Sequence, residues 1–165
     1  TTSYAQFTDV NDISGINIFH DGDANAEGPP MGSLVGSGYA WVDYNNDGWL
    51  DLYATMRQGA NLMYRNNGDG TFTEMAASLG LSDANGDGAG VAAADYDNDG
   101  WTDIYISNGD SDRLMKNING NFFMDVTASS GLDATEMARG TSPSWGDYDQ
   151  DGHLDLYVCN HIPVG

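Results

Sequence analysis

The stretch that decides the fold is Asp95-Tyr96-Asp97-Asn98-Asp99-Gly100-Trp101-Thr102-Asp103. It places side-chain oxygens at positions 1, 3, 5 and 9 of a nine-residue loop and a glycine at position 6. Acidic side chains at alternate positions of a tight loop repel one another unless a cation lies between them. Ca²⁺ takes about six to eight oxygen ligands and tolerates irregular geometry, and glycine permits the sharp bend. The stretch therefore predicts a calcium-binding loop.

The same loop occurs three times at one fixed spacing. Its copies begin at Asp43, Asp95 and Asp147, and each lies 52 residues after the one before. Internal periods of roughly 20–50 residues are typical of solenoids, propellers and repeat arrays. We therefore expect about three Ca²⁺ ions per chain. The candidate side-chain ligands are Asp43, Asn45, Asp47 and Asp51, then Asp95, Asp97, Asp99 and Asp103, then Asp147, Asp149, Asp151 and Asp155.

The composition of the chain limits its partners. Its 165 residues include 25 acidic and five basic side chains, for a net charge of −20. Such a charge disfavours nucleic-acid binding, and no apolar run reaches the roughly 20 residues that span a membrane. Cys159 is the only cysteine, so no disulfide forms within the chain. It follows an apolar run, and we expect it to be buried in a strand.

Four strand-like segments accompany each of the first two loops in the same order, and the third loop has the strands directly before and after it. A strand of small residues precedes the loop, a strand with a tyrosine follows it, and then come a leucine strand, an Asn-Gly hairpin and a phenylalanine strand. Four antiparallel strands in a repeat of this length predict a β-propeller blade, so the fold class is all-β. In the middle repeat these strands are 90–94, 102–106, 114–117 and the one that begins at Phe123; the first has 38–42, 50–54, 62–65 and the one at Phe72.

The repeats divide the chain unevenly. We expect one β-propeller region over residues 1–165, with repeats at approximately 7–71, 72–122 and 123–165. Another short strand is expected at 7–10, single helical turns at 76–79 and 127–130, and an irregular strand at Pro143, which has no N–H to donate. The acidic stretches 23–28 and 83–88 lack an acid at position 9 and are interpreted as turns.

No catalytic arrangement is evident in the sequence. The histidines His20, His153 and His161 are scattered among different repeats, and no nucleophile motif is present. The matched tyrosines Tyr53, Tyr105 and Tyr157 are interpreted as packing positions with a bonded hydroxyl rather than as a ligand platform. The sequence therefore predicts that the protein is not an enzyme.

The segments "DYNNDGWLDLY", "DYDNDGWTDIY" and "DYDQDGHLDLY", with "YRNNGDGTFTEM" between the first two, resemble the FG-GAP and VCBS-type repeats of integrin-alpha-like β-propellers. The resemblance implies structural Ca²⁺ held by the side chains at positions 1, 3, 5 and 9 and by the main-chain carbonyl at position 7. Position 7 is Trp49, Trp101 or His153. EF-hand and dockerin loops fit less well, because position 12 is Ala54, Ile106 or Val158 and none of these side chains can bind a metal.

The number of repeats differs from that of a closed propeller. Propellers have roughly 4–8 blades, whereas this chain has three loops. An open set of blades exposes strand edges and apolar faces. We therefore expect either a homo-oligomer, as a ring or a filament, or further blades in a longer chain, so that the isolated chain is not a simple monomer.

The function predicted from these features is an extracellular, calcium-stabilised β-propeller module for adhesion, surface assembly or protein–protein interaction. The alternative is a carbohydrate-binding, lectin-like propeller, so the ligand is a protein or a glycan. Weak and numerous calcium sites suit the millimolar calcium outside cells, and the chain begins without methionine, as a processed form does. We therefore expect a secreted or cell-surface protein.

Overall fold

In the computed structural model, residues 11–16, 37–57, 59–109, 111–132 and 139–161 are described. Three antiparallel sheets follow one another along the chain. The first comprises β1 (Tyr39–Val42), β2 (Asp51–Ala54), β3 (Leu62–Asn66) and β4 (Phe72–Glu74). The second comprises β5 (Gly88–Ala94), β6 (Asp103–Asn108), β7 (Arg113–Ile118) and β8 (Phe122–Asp125), and the third comprises β9 (Arg139–Gly146) and β10 (Asp155–His161).

Each four-stranded sheet has its strands in chain order, as a propeller blade does. The predicted all-β fold with four antiparallel strands per blade is therefore confirmed, and the three sheets do not close a ring. The predicted strand at 7–10, the stretch 23–28 and His20 lie outside the described residues. None of the helices described is long and apolar enough to cross a bilayer.

Single turns of helix link the blades, as the sequence predicts for 76–79 and 127–130. A first turn, α1 (Asn11–Ser14), precedes the first sheet, and the turns that link blades are α2 (Ala76–Leu79) and α3 (Thr127–Ser130). The last two end at Gly80 and Gly131, whose φ values are 78° and 82°. Glycine adopts this left-handed conformation without a steric penalty, so it stops the helix and turns the chain towards the next blade.

The leucine strands are offset by one residue from the alignment that the sequence suggests. Tyr53 faces Met63 across the first blade, whereas Tyr105 faces Leu114 across the second. Met63, and not Leu62, is therefore the counterpart of Leu114. The reason is that Met63 lies ten positions after Tyr53, whereas Leu114 lies nine positions after Tyr105, so the chain between the paired residues is one residue shorter in the second blade.

The strands that lead into the loops pack against one another at glycines. A methyl group added at Gly38 would lie 2.7 Å from the Cα of Gly90. A methyl group added at Gly90 would overlap the carbonyl oxygen of Thr141, in the third sheet, and lie 2.7 Å from Ser107 Oγ. The small-residue strands of the three sheets are therefore tightly packed, which brings the three loops to one end of adjacent sheets.

The main hydrophobic core lies between the first two blades. Tyr53, Met63, Leu81, Ile104 and Ile106 are fully buried there. The Tyr53 hydroxyl donates to the Leu81 carbonyl, 3.0 Å away, and accepts from the Asn61 amide at 2.9 Å. The tyrosines of the first two blades therefore serve as packing residues with bonded hydroxyls, as the sequence predicts.

The third sheet departs from the sequence expectations. Cys159 is exposed, so its predicted burial is wrong. Tyr157 is 70% exposed, whereas its counterpart Tyr53 is completely buried. Both differences have one cause, since only two strands of this sheet are described and, within the described part of the chain, no further blade covers its outer face. Pro143 pairs with Val158 in regular register, and the irregularity lies instead between Cys159 and Asn160.

Candidate metal centres

The three loops share one backbone conformation. Each connects the first two strands of its sheet, and its ninth residue begins the second strand. The glycine at position 6 has a positive φ in every copy, between 87° and 89°. Position 4 also has a positive φ: 56° at Asn46, 58° at Asn98 and 63° at Gln150. Asparagine adopts the left-handed backbone conformation more readily than most residues, so the asparagines at position 4 of two loops favour this turn.

Main-chain N–H groups fix the carboxylates of each loop. In the second loop, Asp95 accepts hydrogen bonds from the N–H groups of Asp99 at 2.9 Å and Gly100 at 2.8 Å. Asp99 in turn accepts from the N–H of Trp101 at 3.0 Å. The other two loops repeat this pattern around Asp43 and Asp47 and around Asp147 and Asp151. The backbone therefore holds the acidic side chains in place.

The carboxylates at positions 1, 3 and 5 converge in two loops. One oxygen from each of Asp95, Asp97 and Asp99 lies within 4.8 Å of the others, and Asp147, Asp149 and Asp151 form an equal group. The first loop has an amide at position 3, and Asn45 Nδ2 donates to Asp47 at 2.9 Å. Two oxygens bound to one Ca²⁺ at about 2.3–2.6 Å are at most about 5 Å apart. The spacing and the all-oxygen donor set therefore fit Ca²⁺.

The carboxylate at position 9 ties the loop to the rest of the blade. Asp103 is 1% exposed and accepts from the N–H groups of Tyr96 at 3.2 Å and Asn117 at 2.7 Å. Asp51 accepts in the same way from the N–H groups of Tyr44 and Asn66. Burial raises the pKa of both carboxyl groups to about 6, against the hydrogen bonds that lower it. Asp155 accepts from Tyr148. None of these three belongs to the close carboxylate groups, and their role as ligands stays a prediction.

The side chains at position 7 pack outside the carboxylate cluster. A methyl group added at Gly68, in the hairpin of the first blade, would lie 3.0 Å from Trp49 Nε1. Gly120 has the same relation to Trp101 in the second blade. The N–H groups of Trp49, Trp101 and His153 donate to the position-5 carboxylates. Coordination by their main-chain carbonyls, which the family resemblance implies, stays a prediction.

A lysine that the sequence analysis missed contacts the second loop. Lys116, on β7, forms an ion pair with Asp97 and another with Asp99, whose Oδ2 is 3.0 Å from Nζ. Its ammonium group holds the pKa of Asp99 below the usual range. Lys116 lies 13 residues beyond the end of the loop, so no local pattern pointed to it. Among the described basic side chains, it alone pairs with a loop carboxylate.

Neighbouring loops are joined to each other. The Asn46 amide, at position 4 of the first loop, donates to the carbonyl of Gly100, at position 6 of the second, at 3.0 Å. Asn98 makes the same contact with Gly152 of the third loop at 3.4 Å. The buried Asn117 adds a link between blades by donating to the Tyr44 carbonyl at 2.8 Å. The repeat thus positions each loop relative to the next.

The stretch 83–88 forms a turn, as interpreted from the sequence. Its two acids pair with cationic side chains of the protein. Asp87 lies 3.1 Å from Arg57, and Asp83 lies 3.8 Å from Arg113 and accepts from the Asn108 amide at 2.9 Å. Asp83 and Asp87 therefore have basic partners within the protein, whereas none of the described basic side chains pairs with the convergent carboxylates of the third loop.

Comparison with known families agrees with this geometry. The FG-GAP-like repeat family matches residues 43–106 and again residues 95–158, so the matches overlap and together cover all three loops. This chain belongs to the FG-GAP-like repeat family. Each matched segment of this FG-GAP-like chain begins at the first position of one loop and ends in the tyrosine strand that follows the next loop. Two overlapping matches therefore cover three loops.

The FG-GAP-like chain is also similar to part of larger proteins. It is 32% identical over 133 residues to cartilage acidic protein 1 of Xenopus tropicalis and 31% identical over 113 residues to the human protein of that name. These alignments cover 76% and 67% of the chain. They cover 20% and 17% of the relatives, so the chain spans about a fifth of their length.

Acidification is expected to have opposite effects with and without calcium. In EDTA, the raised pKa values of Asp51 and Asp103 mean that ionising these buried groups destabilises the fold, by on the order of 1–3 kcal/mol each. The free energy of unfolding should therefore rise as the pH falls from 7 to 5. In millimolar calcium it should fall over the same range, because metal ligands must be deprotonated. Urea denaturation at several pH values measures both slopes.

The variant Asp51→Asn supplies the control for the pH experiment. It removes one of the two buried carboxyl groups. In EDTA it should therefore reduce the rise in the free energy of unfolding between pH 7 and pH 5 by about half. If the stability in EDTA instead falls steadily from pH 7 to pH 5, burial does not dominate the ionisation of these groups.

Proposed function

We propose that this FG-GAP-like chain is an extracellular, calcium-stabilised β-propeller module that acts through protein–protein contact in adhesion or surface assembly. The observation that carries the proposal is the set of three loops with one conformation, each aiming main-chain N–H groups at its carboxylates. The main chain holds these acids close together, and among the described side chains no basic group offsets their repulsion in the third loop, so a bound cation would.

Calcium is the cation that best suits these loops. Carboxylate, amide and carbonyl oxygens are hard donors, which favour Ca²⁺ and Mg²⁺ over softer metals. Mg²⁺ requires near-ideal octahedral geometry and retains its waters, whereas Ca²⁺ accepts crowded and irregular oxygen ligands. The ligands would be the side chains at positions 1, 3, 5 and 9 with the carbonyl at position 7, about one ion per loop. Bound calcium would cancel charge and hold the first hairpin of each blade.

An extracellular location is supported by composition and by the relatives. Sites rich in exposed acids bind calcium at the millimolar concentrations found outside cells. The similar proteins are named for cartilage and for acidity, and this chain carries a net charge of −20. We infer that it is secreted or displayed at a cell surface.

Completion by further blades is supported by the outer face of the third sheet. Tyr148, at position 2 of the third loop, is 81% exposed, whereas its counterpart Tyr44 is 4% exposed. Tyr44 packs against Phe123 of the next blade, with ring centroids 6.2 Å apart, and Tyr96 packs against Trp145 at 6.1 Å. Tyr148 is thus the third member of a series whose first two members meet the next sheet. A blade from a second copy, or from a longer chain, would cover it.

Light scattering coupled to size exclusion tests self-association. In calcium we expect a mass well above the 17.6 kDa of one chain, because the exposed faces pair. Tyr148→Ser combined with Tyr157→Ser should shift the protein towards the mass of one chain. Phe122→Ser, which removes an exposed ring from a different strand, should leave the mass unchanged. A sharp peak at one chain's mass for the unmodified protein would contradict self-association. Glycan binding and the lack of enzymatic activity stay predictions.

A further inference from the structure

We infer that Lys116 acts as a built-in competitor for the cation of the second loop, so that this loop binds Ca²⁺ more weakly than its own carboxylates would allow. The inference rests on the proposed calcium binding. It concerns a residue outside the loop motif, and it makes the three repeated sites unequal.

The position of the ammonium group supports this inference. Lys116 Nζ contacts Asp97 and lies 3.0 Å from Asp99 Oδ2. These residues occupy positions 3 and 5 and belong to the close carboxylate group with Asp95. A lysine ammonium group and a calcium ion seek the same oxygens, and they repel each other at short range. The lysine must therefore move away from at least one of the two carboxylates when the ion enters.

The corresponding residue of the first blade behaves differently. Arg65 occupies the matching register position, since it faces Thr73 on β4 as Lys116 faces Met124 on β8. Its guanidinium group donates to Asn67 at 3.5 Å, in the hairpin, and not to a carboxylate of the first loop. The first loop compensates its charge another way, with Asn45 at position 3. Among the described residues, no basic side chain contacts the third loop.

The pairing also weakens the repulsion among the aspartates of the second loop. The side chains of Lys116, Asp97 and Asp99 are 25%, 27% and 34% exposed, so water screens the pair only in part. An incoming ion therefore relieves less repulsion here than at the third loop, and it must also break the ion pairs of Lys116. The second loop should therefore fill with calcium last and empty first as calcium falls.

Substitution of Lys116 in the full chain tests the inference. Tb³⁺ is titrated into the protein and its emission is excited through tryptophan; the part of the signal that Asp95→Ala removes belongs to the second loop, and Ca²⁺ competition then gives the affinity. Lys116→Met should tighten binding at this loop by about tenfold, because a unit charge near the ion is lost. In Lys116→Arg, which keeps the positive charge, metal binding at the second loop should stay as weak as in the unmodified chain. Arg65→Met, the matched control, should leave this loop's affinity unchanged.

The outcomes separate the inference from the function on which it rests. If the second loop binds metal with unchanged or weaker affinity in Lys116→Met, the lysine supports the ligands instead of competing, and the inference is overturned. Lys116→Gln, which retains polarity, gives the same test should the methionine variant fold poorly. If the unmodified chain binds neither Tb³⁺ nor Ca²⁺ at millimolar concentrations, the proposed function itself fails.

Discussion

Removing calcium with EDTA is expected to lower the melting temperature by on the order of 15–30 °C. An ion that binds only the folded state, at a hundred times its dissociation constant, adds about 2.7 kcal/mol per site. Three such sites give about 8 kcal/mol, and for a chain of this size each kcal/mol shifts the melting temperature by roughly 2–4 °C. The effect arises because the loops join the first two strands of every sheet. Calorimetry in calcium and in EDTA measures it.

Two aspartate substitutions give this experiment its control. Asp99→Ala should destabilise the protein strongly in calcium and little in EDTA, where Asp99 is partly exposed and loses only its ion pair with Lys116 and its hydrogen bond from the Trp101 N–H. Asp83→Ala should cost the same in both conditions, because its bonds to Asn108 and Arg113 do not involve a metal. A melting temperature that EDTA leaves unchanged would contradict structural calcium.

Replacing Gly90 with alanine is expected to destabilise the protein by at least about 3 kcal/mol, lowering the melting temperature by roughly 6–12 °C. The added methyl group would overlap the Thr141 carbonyl oxygen, which belongs to the backbone of the neighbouring sheet. A backbone atom cannot rotate away as a side chain can, so the second and third sheets must separate. Thermal unfolding in calcium measures the loss.

Gly146→Ala is the matched control for this substitution. Gly146 also lies in a strand, β9, but a methyl group there meets no atom within 4 Å. It should leave the melting temperature unchanged or raise it slightly, because alanine restricts the unfolded chain. Equal effects of the two substitutions would show that the sheets do not pack through Gly90.

The fold was predictable because it depends on local patterns. The nine-residue loops define where the first hairpin of each blade turns, and the Asn-Gly hairpin at 119–120 marks the outer one. The alignment of the leucine strands was less certain, since the connection before them differs in length by one residue. The pairings of Tyr53 with Met63 and of Tyr105 with Leu114 in the structure establish how the two leucine strands correspond.

The sequence predicted which carboxylates lie together in the candidate sites, but not what surrounds them. Asp95, Asp97 and Asp99 lie together because they belong to one turn. The lysine that pairs with them comes from β7, and the asparagine contacts between loops join residues 54 apart. Such contacts depend on how sheets stack. The exposure of Cys159 depends on it too, because a strand pattern cannot reveal whether another blade covers its outer face.

The most direct test of calcium binding is a crystal structure of the chain grown in calcium, with anomalous scattering used to locate the ions. The account predicts three ions per chain, one in each loop, each bound by the side chains of positions 1, 3 and 5. It also predicts the position-9 carboxylate and the carbonyl of Trp49, Trp101 or His153 as ligands. Loops that keep the same backbone but hold no anomalous peak at millimolar calcium would contradict it.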